Sequence, residues 1–473
     1  MFTSNVFYGT IFMQMDKISK LISKNVSKSL KVALEYDKYV TKGYAFKYFP
    51  LALSRAKGAK IWDLDGNEYI DFLSSAAVYN VGHSNDKVIE AIKEQLDKYL
   101  HYCLYIYHEP AVELAKLLVK IVPGSFEKKV AFGLSGSDAN DTAVKASLLY
   151  TGRRNIASYT YSYHGTTYLS LSMSASFNPK LRSRLNALPN VYFFEYPDTY
   201  RCPYEMSEKE CGEYYLGLIE DFFRKNVAGD SFAAFMFEPI QGDGGVLVPP
   251  ENYVRGLRKL TEEYGIILVN DEVQTGIGRT GKMFAIEHFG IEPDITVVGK
   301  AIGGGMPVSA AIGKAEILDS ATPQTYFLTY GAHALSTVAA IATINYVLEN
   351  KLADRARELG DYAKKRLLEL KEKYELVGDV RGLGLLLGVD VVKSKDTKEP
   401  DRKTAIKIIW RAWEKGLLMM TYGKYGNVLR IAPPLVITKE ELDRAINIIE
   451  ESIRDVLAGK VSDEVVGLLR AWE

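Results

Sequence analysis

In the stretch Ile266-Ile-Leu-Val-Asn-Asp271-Glu-Val-Gln274-Thr-Gly276, four aliphatic residues run straight into an amide and two acids. A short, wholly apolar run of this kind reads as a strand buried on both faces. An acid ending such a strand is costly unless a cation meets it. Val130-Ala-Phe-Gly-Leu134, Phe232-Ala-Ala-Phe-Met-Phe237 and Ile295-Thr-Val-Val298 have the same character. Helical patterns lie between them, so the region from about 130 to 315 is expected to form an α/β sheet covered on both sides.

In open α/β sheets, ligands bind beyond the carboxyl ends of the strands. Leu134-Ser-Gly136-Ser137-Asp138 follows the first strand and opens a helix. It suits either a phosphate seat on free backbone N–H groups or an ordinary N-cap. Glu238-Pro-Ile-Gln241-Gly-Asp243-Gly-Gly245 follows the second, with acids and glycines that also fit a solvated turn. Asp271 ends the third. Gly299-Lys300 follows the fourth. A lysine there is poorly solvated, and its physical use is as an amine of lowered pKa able to form a Schiff base. A phosphate seat, a buried acid and a buried lysine on neighbouring strands together specify a phosphorylated aldehyde cofactor with a protonated ring nitrogen.

Outward from this core, helices are expected over 17–37, 86–100, 109–121, 139–150, 334–350, 352–374, 402–415 and 438–457. Two short strands are expected around the Leu64-Asp-Gly-Asn67 turn, and others at 384–392 and 428–431. The expected division is an N-terminal segment, 1–74, of a smaller domain, a large domain over 75–335, and the rest of the smaller domain over 336–473. The chain has 473 residues, with 59 basic against 59 acidic side chains. That balance argues against a nucleic-acid partner. No apolar run reaches the roughly 18 residues of a membrane span. Met1–Met15 lacks a basic start and a small-residue cleavage site, so it reads as a disordered tail or an over-extended start. Cys103, Cys202 and Cys211 fit no CxxC or zinc spacing, so no metal site is expected and a reducing, cytoplasmic interior is. Scarce glutamine beside many Lys and Glu points to a hot habitat.

The long motif Asp271-Glu-Val-Gln-Thr-Gly-Ile-Gly-Arg279-Thr-Gly281, followed by Pro293-Asp294 and Lys300, resembles the class III, or ω-type, aminotransferases of the pyridoxal-phosphate fold type I enzymes. The likeness runs from Trp62-Asp-Leu-Asp-Gly-Asn67 through Gly82-His83 to Leu429-Arg-Ile431. It implies a large domain with a mainly parallel seven-stranded sheet, a smaller α+β domain from both termini, and pyridoxal 5′-phosphate. By the resemblance, Lys300 is the Schiff-base lysine and moves the α-proton. Asp271 pairs with the pyridine nitrogen, Gln274 meets the phenolic oxygen, and Tyr163 stacks on the ring. Gly136 and Ser137 seat the phosphate. Thr329 reaches the phosphate of a neighbouring subunit's cofactor, which implies a homodimer or larger homo-oligomer. Arg430 holds the substrate α-carboxylate, a task suited to its fork, and Glu238 lies near the substrate.

Three positions depart from the family pattern. Thr166 follows Tyr163-His-Gly165 where enzymes acting on ω-amino acids carry an arginine for the far carboxylate. Asp243 stands where ornithine and 4-aminobutyrate aminotransferases have glutamate; in the similar fold type I racemases and epimerases it is aspartate, taken as the second acid–base group. His333 replaces the usual Asn-Pro or Ser-Pro after Thr329-Tyr-Gly331, with packing or catalysis both open. Two activities fit: transamination of the ornithine or 4-aminobutyrate type, and racemisation, which needs acid–base groups on both faces of Cα. Lys300 and Asp243 would supply them, and racemisation is the expectation. If Gly43-Tyr-Ala-Phe-Lys-Tyr-Phe49 and Ala76-Ala-Val-Tyr79 line the site, the substrate is a neutral apolar amino acid such as leucine or methionine.

Overall fold

The computed structural model describes residues 21–468, apart from 42, 44–48, 177, 178, 186, 187 and 189, with only the backbone at 179 and 180. The Met1–Met15 tail, the start of the 17–37 helix and Tyr44–Tyr48 lie outside the described residues. The first described long helix begins later than its apolar spacing suggests, at Ser27–Tyr39. Asp65 explains the boundary: its carboxylate accepts from the N–H groups of Lys28 and Ser29, an N-cap supplied from a distant turn.

That turn joins β2 (Lys60–Asp63) to β3 (Glu68–Asp71), with β1 (Leu53–Lys57) antiparallel to β2. The central strands follow: β4 (Lys128–Gly133), β5 (Asn155–Tyr159), β6 (Val191–Phe194), β7 (Phe232–Phe237), β8 (Ile267–Asp271), β9 (Ile295–Val298) and β10 (Ser309–Lys314). They form one seven-stranded sheet in the order β4-β10-β9-β8-β7-β5-β6. Only β10 runs antiparallel to its neighbours. Near the C-terminus, β11 (Val377–Leu383), β12 (Leu386–Val391), β14 (Met420–Tyr422) and β15 (Val428–Ile431) form an antiparallel sheet, order β11-β12-β15-β14. The short β13 (Leu417–Leu418) pairs in parallel with β3, so both ends of the chain share one sheet.

The pleat of β7 explains why its six residues are all apolar. Ala234 and Met236 face one layer, with Ala139, Ala143 and Val144 of the helix Gly136–Thr151. Phe235 and Phe237 face the other, with Val254 and Leu257 of Glu251–Tyr264. Each fully buried Phe contributes roughly 1.5–3 kcal/mol by desolvation. The alanines let Gly136–Thr151 press close to the strands, which sets its first turn over their carboxyl ends.

Cys202 and Cys211 form a pair that their spacing in the sequence did not suggest. They form a disulfide, with Cα atoms 6.1 Å apart, because a turn at Pro203–Glu205 folds Cys202 back onto the helix Glu208–Lys225; Cys103 is free. No helix among the described residues is long and apolar enough to cross a membrane, and no metal-binding group of His, Cys, Asp and Glu is found among them.

Candidate active site

The carboxyl ends of β4, β5, β7, β8 and β9 open into one cavity of about 370 Å³. Gly136, Ser137, Tyr163, Glu238, Asp243, Asp271, Gln274 and Lys300 all line it. Gly136–Thr151 starts at its rim with a capping box between Ser135 and Asp138. The next N–H groups, of Gly136 and Ser137, have no acceptor among the described residues. A Cβ on Gly136 would stand 2.8 Å from Val273, and one on Gly165, at φ 130°, 2.1 Å from the Ser137 hydroxyl. Only glycine lets the two loops converge here, and their backbone forms a cradle.

Asp271 ends β8 and is almost fully buried. Its Oδ2 accepts from Asn140 Nδ2 at 2.8 Å and is 2.7 Å from His164 Nδ1; its Oδ1 accepts from the Val273 N–H at 3.0 Å. Burial alone would lower the His164 pKa, but the hydrogen bond to Asp271 and its charge raise it above the ordinary value. Asn140 Oδ1 and His164 Nε2 are buried and have no partner among the described residues. Neither residue had an assigned role in the sequence, although His164 stands inside the quoted Tyr163-His-Gly165.

Lys300 follows β9 in the left-handed region, φ 44°. Its amine has no hydrogen bond or ion pair among the described residues. Burial lowers its pKa; Asp243, Asp271 and Glu238 oppose that and Arg430 adds to it. Such an amine reaches its nucleophilic, unprotonated form more readily than an ordinary lysine.

Arg430, on β15, lies 3.2 Å from both Asp243 Oδ1 and Gln274 Oε1. It also donates to the Tyr422 hydroxyl and lies 3.4 Å over that ring. Burial pushes Tyr422 up to about 12. Glu238 accepts from the N–H groups of Tyr163 and Gly242, each at 3.1 Å, and burial pushes it up to about 7. Glu272, beside Asp271, points away: it accepts from Thr275 and from the N–H groups of Ala285 and Ile286, holding the turn after β8.

Thr329 does not line this cavity. It is exposed, and its carbonyl lies 2.9 Å from His101 Nε2. His333 stacks on His101, ring centroids 5.0 Å apart, just before the helix Ala334–Glu349, and does not line the cavity. Val78 does reach the cavity wall. Before it, Ser74, Ser75, Ala76 and Ala77 are all left-handed, φ 47–66°, a turn that costs roughly 1 kcal/mol or more per residue.

Residues 43–453 match the family described as aminotransferase class-III. The chain belongs to the class III aminotransferase family. It is 46% identical to a leucine/methionine racemase of Thermococcus litoralis, over 92% of this chain and 98% of that one. It is 40% identical to an isoleucine 2-epimerase of Lentilactobacillus buchneri, over 95% and 97%. Its fold is similar to that of a taurine:2-oxoglutarate aminotransferase from Bifidobacterium kashiwanohense in complex with pyridoxal phosphate and glutamate, with TM-score 0.84 and 30% identity over 91% of this chain and 98% of that one. This class III enzyme therefore uses pyridoxal phosphate. The cradle at Gly136 and Gly165, the carboxylate held at the end of β8 and the buried amine of Lys300 fit that group.

Proposed function

We propose that this chain is an amino-acid racemase that interconverts the L- and D-forms of neutral apolar amino acids of the leucine and methionine type. The observation that carries the reading is Asp243: a carboxylate lining the same cavity as the Lys300 amine, tethered by Arg430 and Gln274. Val78, Val273, Met306 and Val308 give that cavity apolar walls. At Thr166 no cation stands ready for a second carboxylate.

In this reading Gly136 and Ser137 hold the cofactor phosphate, Asp271 the pyridine nitrogen, Gln274 the phenolic oxygen, and Tyr163 the ring face. Pyridoxal phosphate, when bound, delocalises the electron pair left at Cα once its proton is gone. Arg430 takes the substrate carboxylate, which fixes Cα between Lys300 and Asp243. Lys300 takes or returns the proton on one face and Asp243 on the other, so the two exchange roles with the direction of reaction. Glu238 lies under the Tyr163–Gly242 backbone near the substrate.

The enzyme is further proposed to be a homodimer in the cytoplasm of a heat-adapted cell. Thr329 of one subunit would reach the cofactor phosphate of the other. The exposed aromatic surface beside it supports this: Tyr105 stacks on Phe327 with centroids 5.2 Å apart, and Tyr107 and Tyr330 are also exposed. The test of the activity is to incubate the cofactor-loaded enzyme with L-leucine or L-methionine, with and without a keto acid, and to follow the D-isomer by chiral chromatography. D-isomer without keto acid supports racemisation; consumption only with keto acid, and no D-isomer, establishes transamination instead.

A further inference from the structure

A second charged cluster, outside the cavity, ties the C-terminal sheet to the loop that carries Asp243. At its centre is Asp390 on β12, whose side chain is 1% exposed. It accepts from Arg201 through both terminal guanidinium nitrogens, at 2.8 and 2.7 Å, from Arg381 of β11 at 3.0 Å, and from Asn427 at 2.7 Å. Arg381 also donates to Asp379 at 3.1 Å. Its bonds to Asp390 and Asp379 both come from Nη1, and its Nε donates to the carbonyl of Gly245, at 3.0 Å.

Gly245 belongs to the same loop as Asp243. The carbonyl of Asp243 accepts from the N–H of Gly423, 3.0 Å away, just beyond β14. Gly245 is left-handed, φ 119°, and a Cβ there would stand 3.1 Å from Gly423 Cα and 3.3 Å from the Arg381 guanidinium. The loop is thus pressed against the C-terminal sheet on both sides of Gly244, while backbone hydrogen bonds between Gln241 and Leu247 close its base. Arg201 is itself fixed, donating to the Lys398 carbonyl and adjoining the Cys202–Cys211 disulfide.

We propose that Arg381, oriented by Asp390, is a positioning residue for Asp243. The inference rests on the racemase reading. Charge balance requires a cation beside the buried Asp390, since removing one partner of a buried ion pair is strongly destabilising, but it does not require that the cation be a guanidinium. A guanidinium can hold two carboxylates with one end and a backbone carbonyl with Nε, all in one plane, and an ammonium cannot. Arg381 thereby sets the height of the Asp243 loop above Cα of the bound amino acid. A displacement of about 1 Å at such a point costs on the order of a hundredfold in rate.

Arg381→Lys keeps the positive charge beside Asp379 and Asp390 and removes the planar link to Gly245. In deuterated buffer with leucine, inversion is expected to fall at least tenfold. Exchange of the α-proton with retention, from the enantiomer served by Lys300, is expected to persist, and thermal stability to stay near that of the parent. Amide exchange over residues 241–246 should quicken. An unchanged ratio of inversion to retentive exchange, or an equal fall in both, overturns the proposal. If Arg381→Lys does not fold, Arg201→Lys, which loosens Asp390 from outside, is read in the same way. If the parent enzyme makes no D-leucine, the racemase reading fails, and the positioning role is decided by amide exchange: unchanged protection of residues 241–246 in the variant overturns it.

Discussion

Replacing Glu238 by glutamine should remove a specific part of the pH dependence of stability. Glu238 is buried, with both oxygens on backbone N–H groups, and burial raises its pKa from 4.5 to about 7, reinforced by Asp271 and Asp243 and opposed by His164. Between those values the folded chain holds a proton that the unfolded chain has released, so stability falls as pH rises. The contribution is fully present below about pH 4.5 and is lost as pH passes through 7. At about 1.4 kcal/mol per unit, the shift corresponds to roughly 3 kcal/mol. The substituted glutamine has no proton to lose. Its amide adds a pH-independent cost, because its nitrogen must face one of the two N–H donors. Urea unfolding of the apoprotein and of Glu238→Gln at pH 5, 6, 7 and 8 reads the effect, since groups remote from Glu238 titrate alike in both. The parent's advantage over the variant should shrink by up to roughly 3 kcal/mol from pH 5 to 8. Parallel stability curves would refute the raised pKa.

Lys300→Ala should abolish racemisation and the visible-edge absorbance of cofactor-loaded enzyme; a reducible Schiff base retained in that variant contradicts the role. Asp271→Asn should keep the cofactor but lose about three or more powers of ten in rate, roughly 4 kcal/mol of barrier, because a neutral amide cannot hold the pyridine nitrogen protonated; a rate within about tenfold of the parent contradicts it. Ala76→Gly, in the left-handed turn before Val78, should be neutral or stabilising by urea unfolding, where an ordinary helical site would lose about 1 kcal/mol; a loss of that size shows that the turn carries no strain.

Of the seven central strands, β4, β7, β8 and β9 were legible as apolar runs, as in Phe232–Phe237 and Ile295–Val298, whereas β5 and β6 were not. Nor was β10: Ser309-Ala-Ala-Ile-Gly-Lys314 is made of small residues, because it lies between β4 and β9 under the close-packed Gly136–Thr151 helix. The stretch 384–392 read as one strand, whereas Gly384 and Leu385 form the turn of a hairpin between β11 and β12. In the site, Lys300 and Asp271 showed as charges at the ends of apolar strands. Asn140 and His164 could not show, since what makes them matter is contact with Asp271, 131 and 107 residues away. Arg430 was named only through the resemblance; its pairing with Asp243 spans 187 residues and depends on how the C-terminal sheet docks.

The most direct test of the two-sided mechanism is Asp243→Ala, loaded with cofactor and given each enantiomer of leucine separately in deuterated buffer. Chiral chromatography reads inversion, and mass spectrometry reads deuterium at Cα. The account predicts that inversion stops in both directions while one enantiomer, the one whose α-proton faces Lys300, still exchanges with retention. Equal, modest losses of inversion and exchange would contradict it, leaving Asp243 as no more than a counter-charge for Arg430.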